Sequence, residues 1–211
     1  MSSREDRRPQ LLRWAQRIQT LAQTGLTYVK DPFDRERYQE LREISVEMAA
    51  LATQAPVDEL RAVFASELGY PTPKVDVRAV VFRGDEVLLV REVRTGAWTF
   101  PGGWADIGDT VAAAAEREAL EESGYRVRAA KVLALLDKSR HEHPPSVDYA
   151  YKVLVGCELL GGEPVLSHET DGVGFFARDR LPELDTHRTT RGQVELAWAH
   201  KADASRPTDF D

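Results

Sequence analysis

Between Pro101 and Tyr125 the chain writes a loop, a helix and a stop in one unbroken stretch, and that stretch limits what it can fold into. Pro101-Gly102-Gly103 is a turn whose backbone can come close to a ligand or a metal. Asp109 or Thr110 can cap a helix N-terminus, the run Val111 to Ala115 is rich in the best helix former, and Gly124 stands where a helix end wants positive φ. At about 100° per residue, Glu118, Glu121 and Glu122 then share one quadrant of that helix, about one turn long. Like charges so placed cost an isolated helix roughly 0.2–0.5 kcal/mol per pair, so the cluster calls for a neutralising partner. A hard cation with a preference for oxygen ligands is one. A solvated acidic face is the commoner reading of three glutamates taken alone. Leu120 and Ala113 fall opposite the acids and are expected to face the core, leaving the carboxylates toward the glycine loop and solvent.

The flanking residues make the cluster specific. The stretch resembles the box of the Nudix hydrolases, which runs Gly, five residues, Glu, seven residues, Arg-Glu, an aliphatic, any residue, Glu-Glu, any residue, Gly, and an aliphatic or aromatic. Here the matching residues are Gly103, Arg117, Glu118, Glu121, Glu122 and Gly124. At a usage of about 7% per residue, six fixed identities coincide by chance roughly once in ten million start positions, so coincidence does not compete. Asp109 stands where the family has Glu, and Ala119 where it usually has a larger aliphatic. The resemblance implies a brace between Asp109 and Arg117, with a shorter arm than usual.

It also implies a mixed-sheet α/β/α sandwich and a reaction. The expected activity is hydrolysis of the pyrophosphate in a nucleoside diphosphate linked to a group X, giving a nucleoside monophosphate and X-phosphate. The implied catalytic set is Arg117, Glu118, Glu121 and Glu122. The implied ligands of Mg2+, for which Mn2+ can substitute, are the three glutamates and the Gly102 carbonyl. A formal net charge of -7 cannot hold such an anion by overall field, so local cations are needed. In the family the general base is a box glutamate or a glutamate on a later loop. Outside the box Glu142, Glu158 and Glu169 are the candidates, and Glu169, in His-Glu-Thr-Asp-Gly ahead of a final strand, is preferred.

The first seventy residues read as a separate helical module. Leu11, Trp14, Ile18 and Leu21 recur at helical spacing, Asp31-Pro32 breaks the pattern, and Tyr38, Leu41, Ile44, Met48 and Leu51 resume it. A third helix, Val57 to Leu68, starts after Pro56 with Asp58 and Glu59 in its first turn. Pro71 and Pro73 separate this module, 1–70, from a catalytic domain expected at 74–204. That domain opens with a hairpin: Lys74 to Phe82, the turn Gly84-Asp85, then Val87 to Val90. Strands are expected at Val127 to Asp137, Asp148 to Glu158 and Gly172 to Phe176, a last helix at Arg191 to Ala199, and a loose tail from Ser205 to Asp211. Three short helices can hardly bury a core alone, so the module should dock on the catalytic domain or on a partner subunit. The module, the run Lys30 to Asp34, Pro101 to Asp106 and His141 to Ser146 together resemble the bacterial branch of the family with an N-terminal domain. That branch implies substrates such as CDP-choline and ADP-ribose and a homodimer through the helical module.

Other features set bounds. No apolar run approaches ~18 residues, and Met1 to Arg8 lacks the apolar core of a signal peptide, so a cytoplasmic protein with no membrane or nucleic-acid partner is expected. The lone Cys157 lies in an apolar strand-like run and is expected to be a buried strand residue. Outside the box, Arg91, Arg94, Lys138, Arg140, His141 and His143 are candidates for a phosphate, and Trp98, Trp104 and Tyr149 for stacking on a base. Two further readings use the same box: a sanitising nucleoside triphosphate pyrophosphohydrolase, and a binding module that kept the fold. The intact glutamates argue against the latter.

Overall fold

A computed structural model describes residues 7–211; residues 1–6, which open the expected helical module, lie outside the described residues. The chain divides into two compact units. One comprises the chain up to Pro73 together with Pro145–Asp148; the other comprises Lys74–Pro144 and Tyr149–Asp211.

The first unit is three helices, α1 (Arg8–Tyr28), α2 (Pro32–Thr53) and α3 (Val57–Ser66). Pro32 opens α2 at its first position and the Asp31 side chain accepts from the Asp34 N–H at 3.0 Å, so the Asp31-Pro32 break is a cap rather than a mere interruption. The helices meet through small and polar side chains: Ala15, Gln19 and Ala22 of α1 and Ser45, Ala49 and Ala52 of α2 are buried. Ser45 Oγ donates to Gln19 Oε1, satisfying polar atoms in that contact. Large apolar residues of the recurring pattern point outward instead, with Leu21 at 66% and Leu51 at 70% of full exposure. Val147 packs against this unit, and its carbonyl and that of Ser146 accept from Gln16 Nε2.

The second unit is a mixed sheet between two helices. Its strands are β1 (Lys74–Arg83), β2 (Glu86–Glu92), β3 (Trp98–Thr99), β4 (Gly102–Trp104), β5 (Tyr125–Asp137), β6 (Ala150–Gly162), β7 (Thr170–Ala177) and β8 (Asp209–Phe210). The order is β3-β2-β1-β6-β5-β8, with β4 also paired to β1 and β7 to β2. The hairpin forms at Gly84, whose φ of 56° suits the tight turn. Alternation on β1 sorts the two faces. Val77, Ala79 and Val81 meet α4 (Val111–Ser123), whereas Val80 belongs to the cluster with Val194, Ala197 and Trp198 of α5 (Arg191–Ala202). The α/β/α sandwich is therefore as expected.

Three details differ from the sequence reading. Ala114, Ala115 and Ala119 of α4 face the core, while Ala113 and Leu120 are exposed. Small side chains let the helix lie close to β1, and Glu122 continues the buried Ala115–Ala119 stripe because polar partners meet it there. The tail is not loose either. β8 pairs in parallel with β5, Asp209 accepts from Arg206 and lies 2.9 Å from His200, and Asp211 accepts from the Asp137 N–H at 2.7 Å. Finally, the later chain gives Pro145–Asp148 to the helical unit. No helix of the described residues is long and apolar enough to cross a membrane.

Candidate active site

The site is built where α4 meets the β3–β4 loop. Thr110 caps the helix by accepting from the Ala113 N–H at 3.1 Å, and Gly124 ends it at φ 78°, where an added Cβ would lie 2.4 Å from the Glu163 carbonyl oxygen. Both ends being fixed, the carboxylates of the last two turns have little freedom. Glu122 is buried, and its Oε2 accepts from the Gly102 N–H at 2.9 Å. Gly103 is side-chain-free for a reason: a Cβ there would lie 3.2 Å from Oε1 of Glu118. Gly102, at φ 142°, has no room either, since its Cβ would fall 2.0 Å from the Val77 carbonyl oxygen.

Arg117 organises the rest. Its Nη2 donates to Asp109 Oδ2 at 3.0 Å, and its Nη1 donates to Glu118 Oε1 at 2.9 Å and Glu121 Oε2 at 3.2 Å. Its pKa is raised, first by the Asp109 hydrogen bond. Burial pushes the Glu122 carboxyl up to about 7, with Arg78 and the Gly102 N–H opposing and Glu118 and Glu92 adding repulsion. Burial also raises Glu118, against the pull of Arg117. Glu121 differs, with its side chain 59% exposed.

These residues fit a divalent cation. Glu118 and Glu122 are desolvated hard-oxygen donors beside a glycine loop, and the missing charge is positive. Among the described residues no three His, Cys, Asp or Glu side chains converge into a closed cage, and Arg117 donates to both Glu118 and Glu121. The set that converges is Glu118, Glu122 and the Gly102–Gly103 backbone.

The other candidates also belong to this unit. Arg91 pairs with Asp171 at 2.7 Å beside Trp98, and Arg94 is exposed. Trp98 packs edge-on against Phe176; Trp104 is half-exposed with Lys74 Nζ 5.8 Å from its ring. Lys138 and Arg140 sit on one 3-10 turn, and Tyr149 donates to Asp137 at 2.7 Å. His141 pairs with Asp211 at 3.1 Å. His143 donates from Nδ1 to the Thr186 carbonyl at 2.6 Å and accepts at Nε2 from Gln193, and burial lowers its pKa to about 4. Of the later glutamates, Glu142 is exposed and Glu158 pairs with Arg128. Glu169 is on the turn whose next residue, Thr170, donates to the Glu122 carbonyl at 2.8 Å. Cys157 is a half-buried strand residue whose thiol burial pushes up to about 12.

Buried charge lies within the strands behind the glycine loop. Asp76, Arg78 and Lys152 are all buried; Arg78 Nε donates to Asp76 Oδ1 at 2.7 Å and Lys152 Nζ to Asp76 Oδ2 at 2.6 Å. Burial alone would raise Asp76, but its two cations hold it at about 2. Burial drops Lys152 to about 7, with the neighbouring Arg78 adding repulsion and Asp76 opposing the shift. Glu92, also buried, faces Arg188 at 3.0 Å. A lysine or arginine amid β-branched residues was the available signal.

Sequence profiles place this geometry. Residues 72–196 match the NUDIX domain and residues 9–64 the UDP-X-like, N-terminal oligomerisation domain. The chain belongs to the Nudix family. As a Nudix-type pyrophosphatase it is a hydrolase, and the family generally uses divalent cations. It is 40% identical over 197 residues to YjhB of Bacillus subtilis (strain 168), provisionally named an ADP-ribose pyrophosphatase, covering 93% of this Nudix chain and 95% of the relative. A crystal structure of a UDP-X diphosphatase superposes with TM-score 0.63 at 33% identity, covering 97% and 99% of the two chains. An ADP-ribose pyrophosphatase of Streptococcus suis 89-1591 gives TM-score 0.61 at 39% identity over 66% of this chain and all of that one.

Proposed function

We propose that this Nudix hydrolase is a Mg2+-dependent pyrophosphatase that cleaves nucleoside diphosphates linked to X, of the ADP-ribose or CDP-choline type, into a nucleoside monophosphate and X-phosphate. The observation that carries it is the desolvated Glu122, tied to the Gly102 N–H beside Glu118. The names of the relatives that span nearly the whole chain support this substrate class.

Glu118, Glu122 and the Gly102 carbonyl would hold the metal, with Glu121 as a further ligand. A bound metal would supply positive charge to the phosphates and lower the pKa of an attacking water. Arg117 keeps the helix face in register through Asp109, and the glycine loop lets the Glu118 carboxylate come close to the backbone. Glu169 is the proposed base, taking the proton of the water from the turn beside Glu122. The helical unit makes the protein a homodimer, which its outward apolar residues and its match to an oligomerisation domain support.

The test is to incubate the protein with Mg2+ and ADP-ribose, CDP-choline, a UDP-sugar or an oxidised dGTP, and identify products. AMP, CMP or UMP with the matching X-phosphate is expected. No cleavage, or cleavage that survives Glu122→Gln, overturns the mechanism. Dominant release of pyrophosphate from the triphosphate replaces the substrate class.

A further inference from the structure

The buried Asp76–Arg78–Lys152 trio touches the metal loop from behind. Arg78 is 3% exposed and spends its guanidinium on two masters: Nε and Nη2 go to the Asp76 carboxylate at 2.7 and 3.4 Å, and Nη1 donates to the Phe100 carbonyl at 3.2 Å. Phe100 begins the segment Phe100-Pro101-Gly102-Gly103, and every polar backbone group along its start is engaged. The Phe100 N–H donates to Thr189 Oγ1 at 3.1 Å, the Pro101 carbonyl accepts from the Ala79 N–H at 2.8 Å, and the Gly102 N–H donates to Glu122 at 2.9 Å. Gly102 itself lies opposite Arg78 in the β1–β4 register.

Lys152 makes the arrangement costly. It lies opposite Asp76 in the parallel β1–β6 register, with no exposed surface, and shares Asp76 with Arg78. A fold that wanted only packing here would do as well with apolar residues, since removing whole buried charge triads in favour of well-packed hydrophobic groups is often neutral or stabilising. What apolar side chains cannot supply is a planar donor that holds one fixed carboxylate and one loop carbonyl at once. Arg78 also faces Glu122 and Glu92 electrostatically, so its charge lies behind Glu122, one of the proposed metal ligands.

We infer that Arg78, fixed by Asp76 and with Asp76 shared by Lys152, is a positioning residue that sets the Phe100–Gly103 backbone and Glu122 in metal-binding geometry. The inference rests on the metal site proposed above, but it is tested without a substrate.

The experiment compares the parent protein with an apolar triple variant, Asp76→Leu, Arg78→Met and Lys152→Met. Three quantities are read: thermal midpoint, Mn2+ affinity by electron paramagnetic resonance of free Mn2+, and amide hydrogen exchange at Gly102 and Gly103. The expected result is a folded triple variant with Mn2+ affinity at least about tenfold weaker and exchange at least about tenfold faster, while exchange in the core of β5 stays the same. With a cleaved substrate in hand, kcat should fall more than KM rises. Affinity and loop exchange within twofold of the parent in a folded triple variant overturn the inference. If the triple variant does not fold, Arg78→Lys decides. It keeps the charge but cannot hold Asp76 and Phe100 together, so faster exchange at Gly102 supports positioning and parent-like exchange overturns it. A parent that binds Mn2+ at this site yet cleaves nothing in the substrate panel would sink the proposed reaction and leave the positioning role standing.

Discussion

Arg117 reaches Asp109 at 3.0 Å although the aspartate arm is one methylene shorter than the glutamate the family pattern places there. The helix start lies close enough for the short arm, and the same guanidinium still holds Glu118 and Glu121. Asp109→Glu should therefore leave kcat within about twofold. Asp109→Ala removes a charge-assisted hydrogen bond worth roughly 1.5–3 kcal/mol and should lower kcat at least about tenfold in steady-state assays.

Burial separates the box glutamates. Glu122 is buried on the Gly102 N–H, whereas Glu121 is mostly in solvent. Glu122→Gln should cost at least about a hundredfold in kcat and Glu121→Gln only a few-fold. Binding to the native state stabilises it by mass action, about 2.7 kcal/mol at a hundred times Kd. Mg2+ should accordingly raise the melting temperature of the parent and not of Glu122→Gln. Equal shifts in both would place the cation elsewhere.

His143 gives acid sensitivity of a defined sign. Its folded pKa of about 4 lies below the ordinary 6.5 because the ring is buried, and the hydrogen bond it donates to the Thr186 carbonyl opposes that shift only in part. Between those values the unfolded chain takes up a proton that the folded chain refuses. The stability it contributes is whole above pH 6.5 and is lost as pH falls toward 4. Melting temperature should fall from pH 7 to pH 5, and less steeply in His143→Gln. Parallel slopes in the two proteins would assign the acid loss to carboxylates alone.

The outward apolar residues of the helical unit should be covered in solution. Leu21→Asp and Leu51→Glu are expected to shift sedimentation from dimer to monomer at micromolar concentration, with little effect on how the second unit folds. A parent protein that sediments as a monomer refutes that surface as a self-contact.

The sequence read well where local chemistry decides. Asp31-Pro32, Thr110 and Gly124 are capping residues whose effect depends on their immediate neighbours, and the helices they bound are where they were expected. It read poorly where a second layer decides. Alternation on β1 identifies Asp76 and Arg78 as sharing a face but cannot say whether water or protein covers it; both are buried. The same ambiguity misplaced Leu120, which the helical wheel sets opposite the acids. The buried stripe instead runs through Ala115, Ala119 and Glu122, because a carboxylate with a backbone donor waiting for it can lie in the interior. His141 and His143 were attractive as charges in a loop, yet their partners, Asp211 and Gln193, come from the far end of the chain.

Val147 packs against the core of the helices, although it lies about eighty residues after the last of them. Neither unit can thus be released by cutting one peptide bond. A fragment beginning at Lys74 would carry Pro145–Asp148 away from the helices that Gln16 and Val147 tie together, and a fragment ending at Pro73 would lack a piece of its own core. Threading of this kind means that the contacts of Val147 with the helices form only after chain well beyond Pro73 has left the ribosome.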